Sequence, residues 1–206
     1  GEAISNSWDA DAKNVWIDID KENSVFSIKD DGDGMTAEDF QSKFLKIGYS
    51  KRKEGETKTG RGRPYIGAKG IGKLALLSCA RRVSIFTKIE DSEYTGGVID
   101  NSGLDAAIKD DLTPNDYPLE NLNFDLVAEL AEGHDQGTIL VFEETKEIIR
   151  NSESHIKKLL AMSFKFSLLD KEFNIFVNGN QVTINDLKDL MDTTECLWLI
   201  NGYEDD

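Results

Sequence analysis

Cysteine, histidine, long apolar runs and positive charge are all in short supply, and each shortage closes off a class of function. The two cysteines, Cys79 and Cys196, lie far apart and carry no metal-ligand spacing, so neither a disulfide framework nor a thiolate metal site is expected. That usage suits a reducing cytoplasm. His134 and His155 are the two histidines. No stretch approaches the roughly 18–20 consecutive apolar residues that cross a bilayer. The chain opens at Gly1 in residues that already read as helix, so a trimmed start is expected and a missing targeting segment weighs little. Lys and Arg number 24 against 39 Asp and Glu, a net charge of −15. Such a domain is not built to coat itself with nucleic-acid phosphates. The charge is uneven, however. Lys43 to Lys73 holds ten basic residues against Glu54 and Glu56, a local +8, which leaves −23 for the remainder. A basic island in an acidic domain points to a compact anionic ligand or to a solvated basic loop.

The 206 residues, 39% hydrophobic, suffice for one large domain with a substantial core. Residues 2 to about 12 read as a helix, followed by an alternating strand through Val15, Ile17 and Ile19. KENS turns the chain into a second strand around Val25, Phe26 and Ile28. Thr36 is placed to cap a short helix reaching Phe44, with Asp39 at the capping-box position. Residues 46–66 are polar, basic and without hydrophobic period, a loop of functional length. GAKGIGKLALLSCA reads as a glycine turn entering a helix. Strands follow at RVSIFTKI, near Tyr94 to Ile99, and at GTILVFEE, with an acidic, insertion-like stretch at 101–136 between the last two. A helix of about 15–20 residues is expected over 152–169, and FNIFVNGNQVTI forms a hairpin turning at Asn178-Gly179, with an unassigned tail. Hairpins with helices between them predict an α+β, two-layer sandwich: one mixed, mostly antiparallel sheet packed on helices. There is no internal repeat.

Four short segments carry chemistry. Glu2, Asn6 and Asp9 stand at i, i+4 and i+7 of the first helix and share a face, while its core stripe falls on Ile4 and Trp8. The set is either a solvated face or a site in which Asn6 offers an oxygen to Mg²⁺ and Glu2 deprotonates a water; Mg²⁺ needs few protein ligands. In DDGDGM, an EF-hand alignment through Gly34 puts Lys29 at the first ligand position and Phe40 where a bidentate Glu belongs, so a calcium loop fails. Asp30, a pure acceptor when ionised, suits the exocyclic amine of adenine, with Gly32, Gly34 and Met35 beside a flat base. GAKGIGK fits P-loop spacing through Gly67, Gly72 and Lys73, but Leu74 stands where Ser or Thr must hold Mg²⁺. Its dinucleotide imitation, Gly70, Gly72 and Ala75, lacks the preceding strand. What both share survives: a glycine turn at a helix N-terminus presents N–H groups to phosphates. Thr138, opening a strand after Gly137, is placed to support the base-binding carboxylate through its hydroxyl, directly or through water.

In this order the segments resemble the GHKL superfamily: gyrase B, heat-shock-ninety chaperones, histidine kinases and MutL. The run ISNSWDA is especially similar to the chaperone and MORC versions of the ATPase branch. The resemblance covers roughly residues 2–145 and implies the Bergerat ATP-binding fold, with Mg²⁺ and ATP as cofactor and substrate. It implies Glu2 as general base, Asn6 as Mg²⁺ ligand and Asp9 as a supporting polar residue. Asp30 matches the adenine-binding Asp of D-x-G-x-G, with Gly32, Gly34 and Met35 around the base. Residues 46–66 correspond to the ATP lid, Gly67, Gly70, Ile71, Gly72 and Lys73 to the glycine box, and Thr138 to the late threonine. The RGRPY lid and the 101–136 stretch depart from the pattern, and a transducer-type second domain is expected beyond Asp206 if anywhere. LKIGYSKRK and IGAKGIGKLA are most similar to uncharacterised bacterial members.

The expected activity is ATP hydrolysis to ADP and phosphate, driving lid closure and pairing of two copies in a larger cytoplasmic protein whose client or nucleic-acid partner is open. One alternative is a histidine-kinase-type phosphotransferase, although neither histidine occupies an accepting position and Asp9 stands where such kinases carry Asn. The other is an ATP-gated clamp with little turnover.

Overall fold

The computed structural model describes residues 1–44, 57–67, 80–101, 120, 122–145, 152–165 and 167–193. The glycine turn and helix expected over 68–79, residues 46–56 of the loop, 102–119 of the insertion-like stretch and the tail from 194 lie outside them.

Helix α1 (Glu2–Asp9) buries Ile4 and Trp8, the two residues of its expected core stripe, with Ala3 and Ser7 beside them. It ends sooner than its periodicity suggests. Asp11 sits at φ 56, a left-handed turn in which the amides of Ala10 and Ala12 close on the Ser7 carbonyl. Asp is among the few non-glycine residues that visit that conformation, and here its side chain is held by the Thr59 hydroxyl and the Arg61 amide. Strands β1 (Asn14–Asp20) and β2 (Val25–Asp30) pair antiparallel through the KENS turn, Val15 opposite Asp30. Thr36 caps α2 (Ala37–Asp39), its hydroxyl accepting from the Asp39 amide at 3.1 Å. That helix runs on as a π-helical turn, Phe40–Phe44, whose two phenylalanine rings stack and bury.

Strands β3 (Ala80–Lys88) and β4 (Thr95–Asp100) form the next hairpin, then a 3-10 turn at Phe124–Val127 precedes β5 (Gly137–Thr145). Helix α3 (Glu153–Ser163) starts at Ser152, whose hydroxyl accepts from the His155 amide. It is shorter than the span read from the sequence. Phe164 leaves helical geometry at φ −119, and a 3-10 turn at Ser167–Leu169 replaces the last expected turns, bringing Phe164 and Leu168 to the core. Strands β6 (Asn174–Val177) and β7 (Asn180–Gln181), a 3-10 turn at Ile184–Leu187 and α4 (Lys188–Asp192) complete the order.

Among the described residues seven strands make one sheet in the order β4-β3-β5-β2-β1-β6-β7. Its pairs are antiparallel except β1 with β6. The chain is therefore α+β with a mixed, mostly antiparallel sheet. Strand alternation divides the core. Leu140 and Phe142 of β5 point to one face and pack with Val83, Ile85, Phe40, Phe44 and Ala3. Ile139 and Val141 point to the other, where Phe86, Val127, Leu122 and Leu130 meet them. The described end of the insertion-like stretch thus covers the reverse face of the sheet. A further cluster joins Ile4 and Trp8 to Val15, Ile17, Ile175, Phe173, Ala161 and Phe164, so α1 serves two clusters at once.

The β6–β7 turn has Asn178 at φ 46 and Gly179 at φ 79, the two positive values that a type I′ hairpin requires. Gly179→Val places a β-branched residue in left-handed space and should lower unfolding free energy by about 1–2 kcal/mol in urea titration.

Candidate functional site

Asp30 ends β2 with its side chain 8% exposed and its carboxylate surrounded by donors. Oδ1 accepts the amides of Gly32 at 3.0 Å and Thr138 at 3.2 Å, and Oδ2 accepts the Ser7 hydroxyl at 2.8 Å. A carboxylate offers about four acceptor positions. Three are filled, and the fourth lies on Oδ2. Burial pushes the carboxyl up to about 6, against the three hydrogen bonds that favour the charged form. An acceptor held this way, poorly solvated and one bond short, is suited to a neutral N–H donor.

The residues around it come from three elements. Ser7 reaches Asp30 because α1 crosses the end of β2, and its hydroxyl also lies 3.0 Å from the Ala3 carbonyl. Thr138 is opposite Asp30 in the β2–β5 register. Its main-chain amide meets the carboxylate, whereas its hydroxyl, expected in that role, pairs with the Thr87 hydroxyl at 3.1 Å. The glycines of the turn make their closest approaches to the protein's own backbone. Gly34 lies at φ 68, and a side chain there would begin 1.8 Å from the Lys88 carbonyl oxygen. Met35 packs against the Phe40 cluster.

Glu2 and Asn6 are half-buried on one face of α1, and Asp9, on the same face, is buried. Asp9 accepts the amides of Ile66 at 2.9 Å and Gly67 at 3.0 Å, so it clasps the C-terminal end of the expected lid to α1. The Asn6 side-chain oxygen is 3.8 Å from the point where a Gly67 side chain would begin. Helix α1, Asp30 and the entry to the glycine box are therefore brought together. Gly70, Ile71, Gly72 and Lys73 lie outside the described residues.

The basic loop is partly spent on internal pairs. Arg63 is 7% exposed, donates to the carbonyls of Ala12 at 2.6 Å and Glu172 at 3.2 Å, pairs with Asp170 at 3.1 Å and stacks over Trp8 at 4.7 Å. The Trp8 indole donates to the Pro64 carbonyl at 2.9 Å. Asp11 takes the Thr59 hydroxyl and the Arg61 amide, and Arg61 reaches Glu172. Residues 57–67 are thus seated on the C-terminal end of α1 and the loop before β6. Ser7, Thr87 and Arg63 escaped the sequence reading. Only for Ser7 was there a local signal, a hydroxyl one turn after Ala3 on the buried side of α1.

The central strand of the sheet thus ends in a buried carboxylate beside a polar helix face. Residues 1–123 match the family described as histidine kinase-, DNA gyrase B-, and HSP90-like ATPase, and the chain belongs to it. The chain is also 32% identical over 202 residues to a protein of Herpetosiphon aurantiacus named "Putative type II restriction enzyme HgiDII". That match takes in 97% of this chain but 31% of the relative, so the chain spans about a third of the relative's length. Among the described residues no helix is long and apolar enough to cross a membrane.

The Asp30 pKa carries a stability consequence of definite sign. Its folded value, about 6, lies above the ordinary 3.8, so ionisation costs the fold stability above pH 6 and that cost is shed as pH falls toward 4. Asp30→Asn keeps an oxygen for Gly32 and Thr138 and turns its amide toward the Ser7 oxygen. Without nucleotide, the variant should exceed the wild type by up to about 3 kcal/mol at pH 7.5 and by little at pH 4, read from urea unfolding at both.

Proposed function

We propose that this domain binds ATP with the adenine amine on Asp30 and hydrolyses it to ADP and phosphate, as the nucleotide-driven part of a longer protein. The free acceptor on Asp30 Oδ2, in a site built from α1, β2 and β5, is the observation that carries the reading. Adenine supplies a donor there, whereas guanine presents a carbonyl oxygen to the same carboxylate. Glu2, at the first turn of α1, takes a proton from the attacking water, and catalysis otherwise rests on positioning and charge neutralisation. Asn6 fits a Mg²⁺ site because one amide oxygen beside Gly67 leaves the remaining positions to water and phosphate. Bound there, Mg²⁺ would neutralise phosphate charge. Gly70, Ile71, Gly72 and Lys73 hold the phosphates through main-chain amides and one ammonium, and Gly67, whose own amide is taken by Asp9, leads the chain into them.

The fold argues against phosphotransfer to either histidine of this chain: His134 is buried against Asp30, and His155 lies on α3, across the β1–β6 end of the sheet. The relative's name supports a DNA-directed protein, and the net charge of −15 supports DNA contact by other parts of it. Lid closure, pairing of two domains and a cytoplasmic setting complete the proposal.

Calorimetry and single-turnover phosphate release test it together. Asp30→Asn should lose ATP binding while remaining folded, at least tenfold given about 1.5–3 kcal/mol for a charged hydrogen bond. Glu2→Gln should keep ATP affinity and lose about 10²–10⁴-fold in rate. Asn6→Ala should weaken binding only in the presence of Mg²⁺. Unchanged ATP affinity in Asp30→Asn would sink the reading.

The lid proposal has its own measurement. Residues 57–67 are anchored, so trypsin should cut nucleotide-free protein at Lys46 to Lys53 and spare Lys58 and Arg61. A non-hydrolysable ATP analogue with Mg²⁺ should slow the first set of cuts. Equal rates with and without analogue would remove the lid from the mechanism.

A further inference from the structure

Asp30 is held by its main chain as well as its side chain, and the residue that holds the main chain, His134, belongs to the stretch that the sequence marks as insertion-like. His134 is 6% exposed, and its Nε2 lies 2.7 Å from the Asp30 carbonyl oxygen. A carbonyl can only accept, so Nε2 carries the proton. Its Nδ1 lies 2.7 Å from the Tyr94 hydroxyl. In a neutral ring protonated at Nε2, Nδ1 accepts, and the hydroxyl donates to it. The two rings are also stacked, 10° from parallel with centroids 5.9 Å apart. Burial holds the His134 pKa below the usual histidine range, against the bond to Asp30, and Lys29 and Lys88 nearby push it the same way as burial. The imidazole is therefore a neutral strut in one tautomer.

Two more features, at the start of β5, converge on Asp30. Gly137 lies at φ 119, and a side chain there would begin 2.0 Å from the Asp30 carbonyl oxygen, so only glycine permits the approach. Thr138 then presents its amide to Oδ1. Carbonyl and carboxylate hang from one Cα. Fixing the peptide plane through His134 and the side chain through Thr138, Gly32 and Ser7 leaves the free position on Oδ2 a single direction.

We propose that His134, braced by Tyr94, is a positioning residue that aims the Asp30 carboxylate at the amine of the bound purine, so that the stretch before β5 sets base selectivity without touching the base. This rests on the ATP reading above. It differs from a plain packing role in what it moves. A misaimed carboxylate weakens recognition of the amine and leaves the rest of the nucleotide's contacts intact.

The test is equilibrium binding of ATP and of purine riboside triphosphate, which lacks the 6-amino group, to wild type, Asp30→Asn, His134→Leu, His134→Gln and Tyr94→Phe. Wild type should prefer ATP by roughly ten- to a hundredfold, the worth of one charged hydrogen bond. His134→Leu should lose most of that preference with affinity for the analogue unchanged. His134→Gln, which keeps an N–H at similar reach, should restore most of it, and Tyr94→Phe should lose part. Equal losses for both nucleotides in His134→Leu, or no loss, overturn the proposal. If that variant does not fold, Tyr94→Phe decides alone: a preference equal to wild type overturns it. A wild type without preference for ATP, or an Asp30→Asn variant that keeps it, overturns the Asp30 assignment itself. A preference lost in Asp30→Asn but intact in His134→Leu overturns this inference only.

Discussion

A carboxylate placed at the end of a central strand, out of reach of bulk water, imposes conditions on everything around it. Charge in such a place is tolerated only when donors replace water. Asp30 collects them from three directions: a hydroxyl from α1, an amide from its own turn and an amide from β5. Helix α1 must cross the strand end closely enough for Ser7 to reach, which its buried Ala3, Ile4 and Trp8 secure by packing into two clusters. The β2–β5 register must put Thr138 opposite Asp30. The supply still falls one bond short, and burial is strong enough to lift the carboxyl toward neutrality in the absence of a ligand. In the proposed reading an incoming N–H donor relieves that deficit.

The second organising feature is the seat beneath residues 57–67. Asp9 and Asp11, separated by a helix end and a left-handed turn, face the same segment and hold it at both ends. Arg63 fills the space between with a buried guanidinium whose donors meet two carbonyls and a carboxylate while its plane covers Trp8. Arginine suits this because its planar fork satisfies several acceptors at once and is weakly hydrated. The consequence for function is geometric. Residues 57–67 are tethered to the helix that carries Glu2 and Asn6, which fixes this segment relative to the proposed chemistry.

Family membership and the length of the relative frame what this domain contributes. ATPase chemistry of the histidine kinase, gyrase B and HSP90 kind belongs to the family, while the relative extends over about three times the matched length. In the proposed reading the discriminating contact lies at the purine, remote from the phosphates, so selectivity and turnover are assigned to different residues of the site.

Local sequence was enough for the features that local physics controls. Period-two alternation located the strands, Thr36 marked a cap, Asn178-Gly179 chose a type I′ turn, and spacing put Glu2, Asn6 and Asp9 on one helix face. Asp30, with its glycines, stood out because no regular element accommodates that run. The helix ends were read less well, since Asp11 and Phe164 leave helical geometry to satisfy tertiary contacts rather than any local preference. What no window of sequence could show is which groups complete the site. Ser7 lies 23 residues from Asp30, His134 lies 104 from it, and Arg63 meets Asp170 across 107. Those partners are decided by the order of strands in the sheet and by the face on which each segment returns, and only the folded chain brings a helix, a strand end and an inserted stretch to the same carboxylate.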